Sequence, residues 1–255
     1  MIWSIVLALL AAVFVFLFLF GFQAFRVFVV AAGTAVLAEM GMRKFFKARQ
    51  GLHDGSAVLT ALLLALLLPA SLPSWQVAIA SGSSVILGKE IFGGLGQNPF
   101  NPALVGRALL LTAFPSSMSA FRESLDLVPF LSLTSAILVG GTSLILARVI
   151  GWEIPLVYLS GIGVFSWILG MGDGTAIFPW TLVLCAFFIV TDFVTSPFTR
   201  PARLWFAFGC SLLTVAIRKW STATDGMTYG VLLMNALGPW LDHHLRSRGA
   251  RGVGR

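Results

Sequence analysis

The segment 88–110, GKEIFGGLGQNPFNPALVGRALL, concentrates polar side chains that could bind a ligand: Lys89, Glu90, Asn98, Asn101 and Arg107. Asn101 followed by Pro102 predicts a helix start, because Asn accepts from free backbone N–H groups and Pro in the first turn loses no needed donor. The start of a helix carries partial positive charge, so we expect an anionic group or a phosphate to bind there. An ordinary turn between two helices is the alternative.

Arg107 lies about one and a half turns into the helix that Asn101 begins. An arginine inside an apolar helix is costly and normally faces a partner or a cavity. We therefore expect Arg107 either to bind a ligand anion or to pair with Glu90 or Asp192.

A second polar group lies at 187–197, FFIVTDFVTSP, near the end of another apolar run. Carboxylate and carbonyl oxygens at a helix C-terminus can coordinate a cation, and a capping cluster is the alternative. Asn235, inside the last apolar run, either joins such a site or bridges helices. The predicted cofactor-binding residues are Lys89, Asn98, Asn101, Arg107, Thr191, Asp192 and Asn235. The candidates for an ion pathway or for helix caps are Asp54, Glu90, Asp173, Thr195, Ser196 and Asp225.

The sequence predicts no catalytic residue and no metal site built by the protein. Cys185 and Cys210 lie in apolar runs, where we expect small core residues, and no spaced Cys/His cluster occurs. The net charge of +7 does not indicate nucleic-acid binding, because positive residues in a membrane protein usually mark cytoplasmic loops. The sequence also has no GxGxxG fingerprint following a strand, so we expect no direct nucleotide binding.

Membrane-spanning helices are the elements that must position these residues. Of the 255 residues, 58% are hydrophobic and 11% are charged, whereas soluble domains carry about 25% charged residues. The first segment contains one polar side chain, Ser4, and has neither a basic start nor a clear cleavage site, so we expect a retained helix rather than a signal peptide. Apolar runs separated by Gly, Pro or charge clusters predict ten helices, near 2–22, 24–42, 55–71, 74–92, 101–115, 128–148, 154–170, 178–195, 202–218 and 227–242.

The distribution of Lys and Arg orients these helices. With a cytoplasmic N-terminus, twelve of the seventeen basic residues fall in inside connections and the tail, four fall outside, and Arg107 lies within a helix. Because cytoplasmic loops are rich in Lys and Arg, we expect both termini, including a basic tail at 243–255, in the cytoplasm. The chain is then a single transmembrane domain, 1–255, with no room for a separate soluble domain.

A weak internal repeat divides the chain into halves, 1–115 and 128–245. Asp54-Gly55-Ser56-Ala57 opens the third predicted helix, and Asp173-Gly174-Thr175-Ala176 opens the eighth. The two helices are five apart and enter the membrane from opposite sides, as in inverted repeats that form a site at the midplane. Each Asp can cap a helix start, and chance similarity of the two strings is the alternative.

Four stretches together resemble the RnfD/NqrB family, the large membrane subunit of the Rnf and Na⁺-pumping NADH:quinone oxidoreductase complexes. They are DGSAVLTALLLALLLP (54–69), GKEIFGGLGQNPFNPALVGRALL (88–110), AFFIVTDFVTSP (186–197) and DGMTYGVLLMNALGPWLD (225–242). The resemblance implies an all-α integral membrane fold of about ten transmembrane helices, some of them interrupted, in two inverted five-helix repeats like those of urea transporters. It also implies a bacterial cytoplasmic (inner) membrane complex of several subunits that passes electrons through flavins and iron–sulfur centres and couples them to Na⁺ or H⁺ movement. Any NADH oxidation must then occur on a partner subunit.

One departure from the family concerns the flavin. Family members carry a Ser-Gly-Ala-Thr-like motif between helices five and six, whose Thr takes FMN through a phosphoester bond. Here the connection is PSSMSAFRESLDLV (115–128), which contains no Thr. We therefore expect a non-covalent flavin, FMN or riboflavin, and no covalent FMN. The family's N-terminal extension before the first helix is also missing from this sequence.

The sequence leaves three functions open. The first is an electron-transfer subunit that holds flavin and depends on the other subunits and on the lipid bilayer. The second is a channel or transporter for a small solute or ion on the same scaffold, and the third is a structural anchor for redox partners. In none of these is the chain an enzyme on its own.

Overall fold

The computed structural model describes residues 1–46, 54–119, 127–171, 179–220 and 225–245, and these contain helices and no strand. Asp173 and residues 120–126 of the connection at 115–128 lie outside these residues, as does the tail beyond residue 245. The α-helices are α1 (Ile2–Phe45), α2 (Ser56–Leu66), α3 (Ser74–Ile86), α4 (Pro102–Ala113), α5 (Pro115–Ser119), α6 (Leu127–Leu146), α7 (Glu153–Ile168), α8 (Trp180–Leu184), α9 (Arg200–Trp220) and α10 (Gly226–Leu245). A 3₁₀ turn at Glu90–Phe92 precedes α4, and a π-helical turn at Cys185–Ile189 continues α8.

The first two predicted helices form a hairpin that bends at Gly21, where φ is 56° and ψ is −136°. On a straight helix Phe16 and Phe28 would lie about 18 Å apart. Their ring centroids are 5.9 Å apart instead, so residues 2–20 and 22–45 are antiparallel arms packed on each other. Any residue that replaced Gly21 would need a backbone with positive φ, which glycine tolerates best.

Several predicted spans are shorter in the structure than in the sequence prediction. The span 55–71 ends at Leu66, 74–92 ends at Ile86, and the helix within 178–195 ends at residue 189. Chain that leaves a helix inside an apolar protein must bond its carbonyl groups elsewhere. Arg26 donates to the Leu72 carbonyl at 2.8 Å. The chain therefore leaves the helical conformation before the predicted end of each of these spans. The remaining five predicted helices begin and end within three residues of their predicted limits, and the short α5 was not predicted.

The helices pack in two groups, and α1 with α6 and α4 with α10 are among the contacts between them. In the first half α1 packs on α2 and α3, and α3 packs on α4, while α1 also packs on α6 of the second half. In the second half α9 packs on both α7 and α10. Two glycines allow the close contacts: a Cβ at Gly106 would overlap Ser84 and the Ala80 carbonyl of α3, and a Cβ at Gly230 would lie 2.9 Å from the Thr214 nitrogen of α9.

Large apolar side chains are exposed while several charged residues are buried, which is the reverse of the usual pattern in a soluble protein. Phe18, Leu146 and Trp167 are each about 80% exposed, whereas Lys89 is 1% exposed. Soluble monomers rarely expose large contiguous apolar patches. By length and composition, α1 and residues Val128–Leu146 of α6 could cross a bilayer. The shorter apolar helices are Ser56–Leu66, Pro102–Ala113, Glu153–Ile168 and Trp180–Ile189.

Candidate functional site

A narrow cleft separates the N-terminal half of the chain from the segment that follows α8. Five of the seven predicted cofactor-binding residues line it: Lys89, Asn98, Asn101, Thr191 and Asp192. Apolar walls come from both halves and include Leu59, Leu63, Phe187 and Phe188. The cleft thus brings together two polar segments that are about 90 residues apart in the sequence.

Asn98 contributes a buried amide to the cleft. Its side chain is 4% exposed, and its amide nitrogen donates to the Phe100 carbonyl at 3.1 Å. Its Oδ1 atom has no hydrogen-bond partner among the described residues. A buried amide oxygen without a partner is costly, so Asn98 is suited to accept a hydrogen bond from a ligand.

Asn101 caps α4 as the sequence predicted. Its Oδ1 atom accepts from the N–H groups of Ala103 at 3.1 Å and Leu104 at 3.4 Å, while the Val105 N–H donates to the Asn101 carbonyl. Pro102 has no N–H, so the first turn retains no free backbone donor. The donors that we expected to bind an anion or a phosphate thus bond the Asn101 side chain and carbonyl, and the binding of an anion there stays a prediction.

A closed ring of hydrogen bonds lies at the side of the cleft. The Asn101 amide nitrogen donates to Asp192 Oδ2 at 3.3 Å, and the Thr195 hydroxyl donates to the same oxygen at 3.1 Å. Asn235 closes the ring, since its Oδ1 accepts from the Asn101 backbone N–H and its Nδ2 donates to the Thr195 carbonyl, both at 3.2 Å. Asn235 and Thr195 do not line the cleft. Ser196 extends the same segment by donating its N–H to the Asp192 carbonyl at 2.9 Å.

Arg107 forms a buried ion pair away from the cleft. Its Nε donates to Asp225 Oδ2 at 2.6 Å, and one Nη donates to the Leu67 carbonyl at 2.6 Å. Asp225 also caps α10 by accepting from the Thr228 N–H and hydroxyl at 3.1 and 3.0 Å. The expected pairing of Arg107 with Glu90 or Asp192 is wrong, because α4 and α10 run antiparallel and bring the capping carboxylate of α10 to the middle of α4.

A buried charge network borders the cleft through Lys89. The Lys89 ammonium bonds Glu39 and donates to the Ser56 hydroxyl at 2.7 Å. Arg43 bonds Glu39 at 2.7 Å and Asp54 at 2.9 Å. The third carboxylate, Glu90, lies 3.5 Å from Lys89 and 4.0 Å from Arg43.

Asp54 shows how this network holds the start of α2. Its carboxylate accepts from the Ser56 N–H at 2.9 Å and the Ser56 hydroxyl at 2.7 Å, so it bonds the first residue of α2 from the position before the N-cap, Gly55. Burial raises the pKa of Asp54, but the bonds from Ser56 and Arg43 outweigh burial and hold the pKa below its ordinary value of 3.8.

The sequence prediction missed Glu39, Arg43 and Ser56 in this network. Glu39 and Arg43 are four residues apart in an otherwise apolar run, a spacing that places them on one helix face. That spacing was the available signal, whereas the pairing of Glu39 with Lys89, fifty residues away, depends on how α1 and α3 pack.

Comparison with known proteins identifies the family. The model of the NQR2, RnfD, RnfE family matches residues 1–135 and 130–251. The chain belongs to the NQR2/RnfD/RnfE family.

Individual members of the NQR2/RnfD/RnfE family align over nearly the whole chain. A subunit of the Na⁺-translocating ferredoxin:NAD⁺ oxidoreductase complex of Acetobacterium woodii is 31% identical over 280 residues, which cover 96% of this chain and 88% of that protein. The corresponding subunit of the proton-translocating ferredoxin:NAD⁺ oxidoreductase complex of Clostridium ljungdahlii is 33% identical, with 94% and 88% covered. The corresponding subunit of an ion-translocating oxidoreductase complex of Pseudomonas aeruginosa is 32% identical, with 86% and 81% covered. The resemblance seen in the four sequence motifs is thereby confirmed.

Proposed function

We propose that this chain is the membrane subunit of an ion-translocating electron-transport complex of the Rnf type. The observation that carries the proposal is the cleft, because it gathers Asn98, Asn101 and Asp192 from separate segments beside aromatic walls. The relatives that align over most of the chain are named as subunits of such complexes. In this role the chain relays electrons through a flavin and couples the transfer to Na⁺ or H⁺ movement.

The chemistry of the cleft fits a non-covalent flavin, either FMN or riboflavin. A flavin ring has apolar faces and a hydrogen-bonding edge, and cofactor sites combine aromatic walls with a few placed polar groups. Phe187 and Phe188 supply aromatic walls, while the unpartnered Oδ1 of Asn98 can accept from the edge of the ring. When bound, the flavin supplies the electron-carrying chemistry, and the chain supplies binding and orientation.

An inverted-repeat architecture is the proposed basis of this cleft. Asn101 begins α4 and Asp225 begins α10, and in both helices a glycine follows five residues later and packs closely on the preceding long helix. The contacts across the two helices are also reciprocal: Arg107 of α4 reaches the cap of α10, and Asn235 of α10 reaches the cap of α4. Two related halves facing in opposite directions would produce this exchange.

The membrane arrangement we propose is multi-pass in the bacterial inner membrane with both termini in the cytoplasm. The apolar exterior of the described helices supports contact with lipid or with other apolar subunits. The excess of Lys and Arg in the inside connections supports the orientation. Electron donors, iron–sulfur centres and nucleotide sites would reside on partner subunits.

Flavin content of the purified complex tests the cofactor. We expect flavin that acid releases from the complex, and an intact mass of this chain without added FMN. Asn98→Ala should lower the flavin content, while Gln76→Ala should leave it unchanged. Gln76 is the matched control because it is 5% exposed and its Oε1 also has no described partner, yet it does not line the cleft. Covalently attached FMN would contradict the proposed attachment, and equal flavin loss in both variants would contradict the site.

Reconstitution in liposomes tests the coupling. The complex should take up Na⁺ or H⁺ only while electrons flow, and both ions must be tested because the named relatives include both kinds. A colourless complex that moves a solute without electron transfer would replace this proposal with the channel or transporter function.

A further inference from the structure

The ring at the side of the cleft contains two residues that do not line the cleft but bond residues that do. Asn101 and Asp192 line the cleft, whereas Thr195 and Asn235 do not. Thr195 is 6% exposed and Asn235 is 2% exposed, so both are buried. Their polar groups are directed at the two lining residues and at each other.

The Asp192 carboxylate depends on this ring for its position. Oδ2 accepts from the Thr195 hydroxyl at 3.1 Å and from Asn101 at 3.3 Å, and Oδ1 accepts from the Val194 N–H at 3.3 Å. Thr195 therefore gives the shortest of the three bonds. A carboxylate without these donors would be free to take other rotamers, because a side chain is held only by its packing and its partners.

Asn235 bonds two of the other three members of the ring. It bonds the backbone of Asn101 and the carbonyl of Thr195, which lie 94 residues apart in the sequence. Both ends of the Asn235 amide are used, so its orientation is set by the network. Asn235 thus links the start of α4 to the segment after α8.

We propose that Thr195 and Asn235 are positioning residues that hold the Asp192 carboxylate in the cleft. The expected consequence, weaker flavin binding when the carboxylate is displaced, rests on the proposed function. The positioning itself is a property of the folded chain and can be measured without any cofactor.

The infrared band of the Asp192 carboxylate provides that measurement. The full chain, prepared with isotope-labelled aspartate, contains six aspartates, and Asp192→Asn identifies the band by its loss. Thr195→Val removes the hydroxyl without changing the side-chain volume and should shift the band, while Thr195→Ser should restore it. Thr228→Val is the matched control, because the Thr228 hydroxyl donates at 3.0 Å to a different buried carboxylate, that of Asp225. An unshifted band in Thr195→Val would overturn the proposal.

Flavin affinity then tests the consequence in the complex. Thr195→Val should weaken the binding of added riboflavin or FMN about tenfold, in line with the loss of a hydrogen bond to a charged group, and Thr228→Val should not. Asn235→Leu should act in the same direction as Thr195→Val. If the wild-type complex binds no flavin, the proposed function fails while the infrared result still decides the positioning. A shifted band with unchanged flavin affinity would overturn the link between Asp192 and the cofactor.

Discussion

Replacing Arg107 by Met tests the buried ion pair that joins α4 to α10. The guanidinium and the Asp225 carboxylate have side chains that are 7% and 8% exposed. The substitution keeps a long side chain in the same space but removes the charge. It also removes the donor to the Leu67 carbonyl just beyond the end of α2.

The expected loss is large because the partner stays buried. Removing one member of a buried ion pair costs about 3–5 kcal/mol, and an unpaired carbonyl costs about 1–3 kcal/mol. The Thr228 N–H and hydroxyl still stabilise Asp225, so the two costs do not add fully. We expect Arg107→Met to lower the free energy of unfolding by about 3–5 kcal/mol.

A double-mutant cycle separates the pair from its surroundings. Asp225→Asn keeps an acceptor for the Thr228 N–H, so the cap of α10 is retained. The Arg107→Met/Asp225→Asn double variant should lose about 2–3 kcal/mol less than the sum of the single variants.

Reversible unfolding in mixed detergent micelles, titrated with a denaturing detergent, gives these free energies. Arg200→Met is the control, because Arg200 pairs with Glu153 while 69% exposed and should cost at most about 1 kcal/mol. If Arg107→Met cost no more than Arg200→Met, or if the cycle were additive, the pair would not be the buried coupling between α4 and α10 that the contacts indicate.

Three further predictions concern the charge network, helix packing and pH. Lys89→Met should cost about 3–5 kcal/mol in the same unfolding assay, since Glu39 loses a buried partner, and a cost below about 1 kcal/mol would contradict this. Gly106→Ala should destabilise the protein by about 1–3 kcal/mol by pushing α3 away, whereas Gly33→Ala, with open space around it, should be neutral or stabilising; equal effects would argue against close packing. The lowered pKa of Asp54 gives stability that is complete above pH about 4 and is lost as pH falls through the folded value, so the deficit of Asp54→Asn should shrink on acidification; a deficit independent of pH would refute this.

The sequence predicted much of the secondary structure because local rules govern it. Asn101-Pro102 marked the start of α4, since capping and the missing proline N–H act within one turn. The bond between Asp54 and the start of α2 followed from the same kind of rule. The hairpin was anticipated as two helices, although nothing local specified that its arms would bend at Gly21 and pack on each other.

The sequence predicted which residues form the site better than it predicted the contacts between them. Polar residues in an apolar chain are costly, so their presence marked Lys89, Asn98 and Asp192 before any fold was known. Their partners were not predictable in the same way. At the start of α4, where an anion was expected, the backbone donors bond the Asn101 side chain, and this contact depends on a rotamer rather than on residue type.

The sequence by itself determined that this protein is helical, apolar and interrupted at particular places, because composition and local breaks act through neighbouring residues. The four motifs also determined its family. Only the tertiary structure decided that Arg107 pairs with Asp225, 118 residues away, and that Asn235 closes a ring on Asp192 through Thr195. The physical reason is that a buried charge or amide must be satisfied by whichever group packing brings within about 3 Å, and packing is a property of the whole chain.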